Sequence, residues 1–140
     1  MLYDILIIRI FLGLLLIILL TQSIKIIIES IKSKKFKKSC LFLDGGFPST
    51  HSALVSGLTS AIFFETGFSY LFLITAVFSL IIIRDSFGLR LQVGKQKQIL
   101  EKLDKKDSKI LHLQREGHTI IQVLSGIFIG LAIMALVLSF

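Results

Sequence analysis

The sequence predicts an all-α integral membrane protein, a bundle of about four transmembrane helices with a polar, partly amphipathic loop region between the third and fourth. Three observations predict it. Hydrophobic residues make up 54% of the 140-residue chain, and its mean hydropathy is +0.84. A single soluble domain of this length has no core large enough to hide that much apolar side chain, so most of it must face lipid. Apolar runs of helix length recur along the chain, separated by short polar stretches. Finally, the net charge of +7 is concentrated. Fourteen of the sixteen Lys and Arg residues fall in two stretches, five in Lys32–Lys38 and nine between Arg84 and Arg115. Basic clusters flanking apolar spans mark cytoplasmic loops. Anionic lipid headgroups are their natural neighbours, and no nucleic-acid partner is expected.

The first span is read from Ile5 to Ile28. At about 1.5 Å per residue it crosses a hydrocarbon core of about 30 Å. A cleaved signal peptide is the competing reading, but the run is too long and no small-residue cleavage site follows. The second helix is expected from Pro48 to Glu65, the third from Phe68 to Asp85 and the fourth from Gly117 to Phe140. "ETGFS" is the turn between the second and third. Ser52, Ser56, Gly57, Thr59 and Ser60 suit the second helix to close packing rather than lipid contact. Gly126 and Gly130 give the fourth a G-x-x-x-G spacing that admits a neighbouring helix. Between the third and fourth, Val93, Leu100, Leu103, Ile110, Leu111 and Leu113 recur among charges, which suggests an amphipathic hairpin or surface helix. The whole, residues 1–140, reads as one membrane-embedded domain without repeats. Its lone Cys40 excludes an internal disulfide.

If both basic stretches are cytoplasmic, the turn around Gly67 and both termini lie outside. The second and fourth helices then both start at the cytoplasmic face. Their first residues are "FPSTHS" and "EGHT". The stretch "GGFPSTHSA" (Gly45–Ala53) holds the chain's one proline, two glycines, three hydroxyls and a histidine. Pro48 suits a helix first turn, where its missing N–H costs nothing. The N–H groups of Ser49, Thr50 and His51 would then be free, and a helix N-terminus with free N–H groups is a ready anion site. His118 follows Gly117 at the start of the fourth helix. Arg84, Asp85 and Arg90 reach the same face from the third. Each residue has a bland reading. His51 could cap a helix, Arg84 and Asp85 could form a boundary ion pair, and Arg115 and Lys95 could be solvated. Their convergence favours a phosphate site, because ionisable groups at membrane depth default to function.

"GGFPSTHSALVSGL", "RDSFGLRLQVGKQ" and "REGHTIIQVLSG", in that order, resemble the small divergent branch of the type 2 phosphatidic acid phosphatases, a superfamily that includes vanadium-dependent haloperoxidases. The resemblance runs from about Gln22 into the fourth helix. It implies that Pro48, Ser49, Thr50 and His51 match a P-S-G-H motif that contacts phosphate and supplies a general-acid histidine, with Thr50 in place of the glycine. It implies that His118 matches the histidine that attacks phosphorus. The departures are specific. Gln122 stands where the superfamily has the aspartate that orients the nucleophile, and His112 stands where it has an arginine. Arg115 lies three residues closer to His118 than that arginine would. Lys25 is the counterpart candidate for an upstream lysine, and no Arg-Pro follows it.

The chemistry expected is metal-independent hydrolysis of a lipid phosphomonoester or diphosphate, of phosphatidate, phosphatidylglycerophosphate or polyprenyl phosphate type. His118 is the candidate nucleophile and His51 the candidate general acid. Asp85 either favours protonation of a histidine or orients His118, and Gln122 holds the orienting position. Ser49, Thr50, Arg90, Lys95 and Arg115 are the candidate phosphate ligands, arginine being suited to bidentate contact. Asp44, His51, Asp85 and His118 could be assembled into a metal site, but no pair has a metal-ligand spacing. No cofactor or metal is expected. The expected partners are the lipid phosphate and the bilayer, and a homo-oligomer is compatible with the sequence. The expected location is a bacterial inner or cell membrane, with the site at its cytoplasmic face. The alternatives are a non-catalytic protein that binds anionic lipid or scaffolds a partner, and a small transporter subunit.

Overall fold

The computed structural model of the chain describes residues 2–33, 46–88, 92, 93, 96, 99 and 117–139. Among these the structure is all-helical, with α1 at Leu2–Ser33, α2 at Thr50–Thr66, α3 at Tyr70–Phe87 and α4 at Ile120–Ser139. Most of the expected amphipathic hairpin, and the basic run from Lys34 to Lys38, lie outside the described residues. The helix α1 extends past the apolar run at both ends. No glycine or proline interrupts the chain between Gly13 and Gly45, so helical hydrogen bonding continues through the polar "ESIKS" segment.

The capping chemistry sets the other boundaries. Ser49 is the N-cap of α2, and its hydroxyl accepts from the Ser52 N–H at 3.4 Å and from the Ser52 hydroxyl at 2.9 Å. Pro48 therefore stands before the cap and not in the first turn as expected, because Ser49 has the oxygen that can satisfy an open N–H and proline does not. At the far end Gly67 takes φ 62° and donates to the Phe63 carbonyl at 2.9 Å. Two residues on, the Ser69 hydroxyl caps α3 by accepting from Phe72. Thr119 and Gln122 form a reciprocal cap on α4. The Thr119 N–H donates to Gln122 Oε1 at 2.9 Å, and the Gln122 N–H donates to Thr119 Oγ1 at 3.4 Å. This is a capping box with glutamine at its third position.

The central helix is α2, which packs on α1, α3 and α4; α1 also packs along α4, whereas α3 meets α4 little. The α2–α4 seam depends on absent side chains. A Cβ at Gly126 would collide with the Ser49 carbonyl, and one at Gly130 with the Ala53 carbonyl and the Ser56 hydroxyl. The G-x-x-x-G spacing thus seats the two backbones against each other. Polar bonds cross the same seam, from the Ser49 N–H to the Gln122 carbonyl at 3.0 Å and from the Ser56 hydroxyl to the Ile127 carbonyl at 3.3 Å. Between α2 and α3 the Thr59 and Ser79 hydroxyls meet at 2.7 Å, and Ser79 also donates to the Val55 carbonyl. The apolar centre is small, formed by Ile17, Ala53, Ala61 and Met134.

Large apolar side chains point outward instead, among them Phe11, Leu19, Ile74, Phe78, Ile121 and Phe128. Thr21, Lys25, Ser52, Ser56, Ser79, Ser86 and His118 are buried. Polar groups inside and apolar groups outside invert the soluble pattern and fit a lipid surround. Two helices, α1 over Asp4–Ile31 and α4, are long and apolar enough to cross a membrane. With 17 residues, α2 is about 26 Å long. The α2–α3 turn carries edge-to-face ring contacts between Phe63, Phe68 and Phe72.

In an exposed helix Gly→Ala stabilises by about 1 kcal/mol. At Gly130 the sign should reverse. Gly130→Ala should destabilise the detergent-solubilised protein by roughly 1–3 kcal/mol, the range for overpacking. Leu131→Ala, on the exposed side of the next residue, serves as the comparison in thermal unfolding. An unchanged or raised midpoint for Gly130→Ala would show that the seam is looser than described.

Candidate active site

Four chain segments meet at one end of the bundle. They are the C-terminal half of α1, the Gly46–Ser49 entry to α2, the end of α3, and the Gly117–Thr119 entry to α4. Backbone bonds tie them together. Ser49 donates to Gln122, as above, and the His118 N–H donates to the Ser86 carbonyl at 2.9 Å. The two helix N-termini that the sequence places on one face are therefore adjacent. Gly46 and Gly117 both take positive φ, 100° and 93°, which only glycine adopts without strain.

His118 is at the centre and is 2% exposed. Its Nδ1 lies 3.1 Å from the Gly46 carbonyl oxygen. A carbonyl only accepts, so Nδ1 carries the hydrogen and, in the neutral ring, Nε2 carries the lone pair. Nε2 is buried and has no hydrogen-bond partner. Burial is the main cause that holds the ring's pKa below its ordinary value of 6.5, and the Lys25 charge is next. The Gln122 side chain and the Gly46 carbonyl raise it, and the His51 charge lowers it further. Gln122 acts from nearby, without a hydrogen bond to Nε2. A positively charged ring is disfavoured both by lost hydration and by a second cation, so His118 is neutral at neutral pH.

The expected site residues are distributed unevenly around this ring. His51, in the first turn of α2 and half-buried, is close enough for its charge to act on His118. Thr50 is 7% exposed, and its Oγ1 is buried without a partner. Ser49 is fully buried, and its N–H is taken by Gln122 rather than left for an anion as expected, because the seam brings that carbonyl within 3.0 Å. Asp85 is half-buried, directly before Ser86, whose carbonyl holds the His118 N–H. Gln122 is committed through its carboxamide to the α4 cap. Arg84 is exposed in the last turn of α3. Arg90, Lys95, Arg115, His112 and Asp44 lie outside the described residues. Among the described residues no three His, Cys, Asp or Glu side chains group together.

Of two further participants, one was named from sequence only as the counterpart candidate for an upstream lysine, and the other was not foreseen. Lys25, 4% exposed on α1, is the charge that most lowers the His118 pKa. A lone lysine inside an apolar run of this length was the signal for it. The other is the Gly46 carbonyl, which no side-chain motif reports.

The sequence profile of the Divergent PAP2 family matches residues 8–133. The uncharacterized membrane protein YuiD of Bacillus subtilis (strain 168) is 38% identical over 87 residues, which is 61% of this chain and 55% of that protein. The chain thus spans about half the length of the curated relative it matches. No solved structure matches it. With apolar helices outside, a buried polar end inside and a relative that is a membrane protein, this is a membrane protein. The profile match takes in Lys25, Gly46, His51 and His118 and runs well into α4, and the chain belongs to the Divergent PAP2 family.

Proposed function

We propose that the protein is a lipid phosphatase that hydrolyses a phosphomonoester or diphosphate on a membrane lipid without a metal. The observation that carries this reading is the buried, unpartnered Nε2 of a neutral His118 beside a buried lysine. A nucleophile needs a free lone pair, and a phosphate needs a cation close by. Thr50 Oγ1, a buried oxygen that also lacks a partner, stands at the first turn of α2 and is a ligand for a phosphate oxygen. Lys25 supplies charge, and Arg90, Lys95 and Arg115 are further candidate phosphate ligands by sequence.

The reaction proceeds in two displacements. The Nε2 lone pair attacks phosphorus, the bond from phosphorus to the lipid oxygen breaks, and protonated His51 gives its proton to that oxygen. The lipid alcohol leaves, and phosphate stays on the ring. Water then attacks phosphorus, His51 takes its proton, and the phosphorus–nitrogen bond breaks to release inorganic phosphate and neutral His118. Asp85, half-buried at the end of α3, is a carboxylate at this end of the bundle. All four helices span the membrane in this reading. The site end faces the cytoplasm, with the α2–α3 turn outside, as the two basic stretches require.

A second reading is favoured by Gln122. The superfamily's carboxylate is replaced by a carboxamide spent on its own helix cap, so the site would bind anionic lipid headgroups without turning them over. Phosphate release from a panel of lipid phosphates, with EDTA present, separates the two. Release abolished in His118→Ala, and slowed roughly 10²–10⁴-fold in His51→Ala, supports the phosphatase. Binding of phosphatidate vesicles without release supports the second reading.

The pH profile adds a signed expectation. Neutral His118 is the reactive form, so kcat/KM should fall as pH drops through a pKa below 6.5. Lys25→Met removes a charge that opposes the imidazolium, so that acidic limb should move up toward 6.5. A limb at or above 6.5 in the unaltered protein would mean the attacking group is not this histidine. Topology is checked separately. In a Cys40→Ser background, Phe68→Cys, at an 85% exposed position in the α2–α3 turn, should react with an impermeant thiol reagent from outside only. Labelling from the cytoplasmic side would reverse the orientation.

A further inference from the structure

We infer that the main-chain carbonyl of Gly46 is the positioning group for His118, doing with a neutral peptide dipole what a carboxylate would do at Nδ1. This deepens the phosphatase reading above and rests on it for its catalytic meaning, though its structural content stands alone. Three observations lead to it. The Nδ1–H of His118 has one hydrogen to give, and the Gly46 carbonyl receives it at 3.1 Å. Gln122, at the position one helical turn along from His118, lies close enough for its side chain to favour the charged ring, but it makes no hydrogen bond to Nε2 and its carboxamide is used in the α4 cap. Its Oε1 accepts from Thr119, while its main-chain carbonyl accepts from Ser49 and from the Ser125 hydroxyl. The remaining ring nitrogen, Nε2, is buried and unpartnered, so no competing bond holds the ring in the other tautomer.

The local chain is built for this contact. Gly46 has φ 100°, a conformation that L residues with a Cβ avoid. The His118 main chain is fixed at the same time by its N–H bond to Ser86. His118 is thus tied to α3 through its main chain and to the entry of α2 through its ring. As Nε2 forms its bond to phosphorus, positive charge spreads over the ring. The Nδ1–H then becomes a stronger donor, and its bond to the carbonyl strengthens in the transition state. A carbonyl carries partial charge where a carboxylate carries a full one. It therefore orients the ring while leaving the neutral form dominant, which is what attack requires beside Lys25.

The test is the tautomer. In water neutral imidazole side chains favour the Nε2–H form, so the structure calls for the less common one. Nitrogen-15 spectra of the histidine-labelled, full-length protein in lipid nanodiscs, above pH 7, should show His118 with Nδ1 protonated and Nε2 bare. Asp85→Asn and Gln122→Leu should leave that signature in place. Phe47→phenyllactate, a backbone ester that weakens the Gly46 carbonyl as an acceptor, should erode it and lower kcat roughly tenfold or more with little change in KM. An Nε2–H signature in the unaltered protein, or a signature lost in Asp85→Asn, overturns the assignment. The two claims fail separately. Nδ1–H with no phosphate release removes the phosphatase and keeps the positioning contact. Nε2–H with full lipid phosphatase activity does the reverse.

Discussion

The approach of α2 to α4 is the constraint on which the rest depends. Without side chains at Gly126 and Gly130, the α4 backbone comes up against the carbonyls of Ser49 and Ala53. That contact does more than bury a seam. It fixes the axial register of two helices that start at the same end, so the cap of α2 meets the first turn of α4, and the Ser49 N–H finds the Gln122 carbonyl. A shift of one residue along α4 would move His118 by about 1.5 Å along the axis and rotate it by about 100°, away from Gly46 and Ser86. The site is therefore a consequence of helix register, and register is a consequence of two glycines.

Helix–helix association gains nothing from the hydrophobic effect in lipid, so it relies on close packing and hydrogen bonds. Here both are concentrated on α2. Its small residues admit α4 on one side, Gly57 admits Ile17 of α1 on another, and Thr59 bonds Ser79 of α3 on the third. The interior that results is rich in hydroxyls, nearly all satisfied by a carbonyl one turn back or by a neighbouring helix. Among the described residues the exceptions are Gln22 Oε1 and Ser30 Oγ on α1, together with Thr50 Oγ1 and His118 Nε2 at the entries to α2 and α4. Leaving a buried polar atom unsatisfied costs about 1–3 kcal/mol, and such costs concentrate where a ligand later supplies the missing bond.

Much of this was legible from residue order. Helix number and approximate position followed from apolar runs, and G-x-x-x-G marked the packing face. The charge bias brought "FPSTHS" and "EGHT" to one end before any coordinate was known. Caps were less legible. Proline was read as the first helical residue, whereas the serine after it has the acceptor that α2 needs. Ser49 was read as an open anion donor, but its N–H is consumed by a helix far away in sequence. Lys25 was visible as a charge in an apolar run and as a counterpart candidate for the upstream lysine, and its proximity to His118 depends on the packing of α1. The Gly46 carbonyl had no signal at all, because every residue has a carbonyl and only tertiary structure aims one. Arg90, Lys95 and Arg115 remain expectations from sequence, outside the described residues.

The proposed reaction turns on attack by the buried Nε2 of His118 on phosphorus. Rapid quenching into base during turnover of a phosphorus-labelled lipid phosphate, followed by mass spectrometric mapping, addresses it most directly. The account predicts a base-stable, acid-labile phosphoramidate on His118, attached at Nε2, that forms and decays at rates compatible with turnover. Sustained release of phosphate with no label on His118 at any time, or with the label on His51, would contradict it.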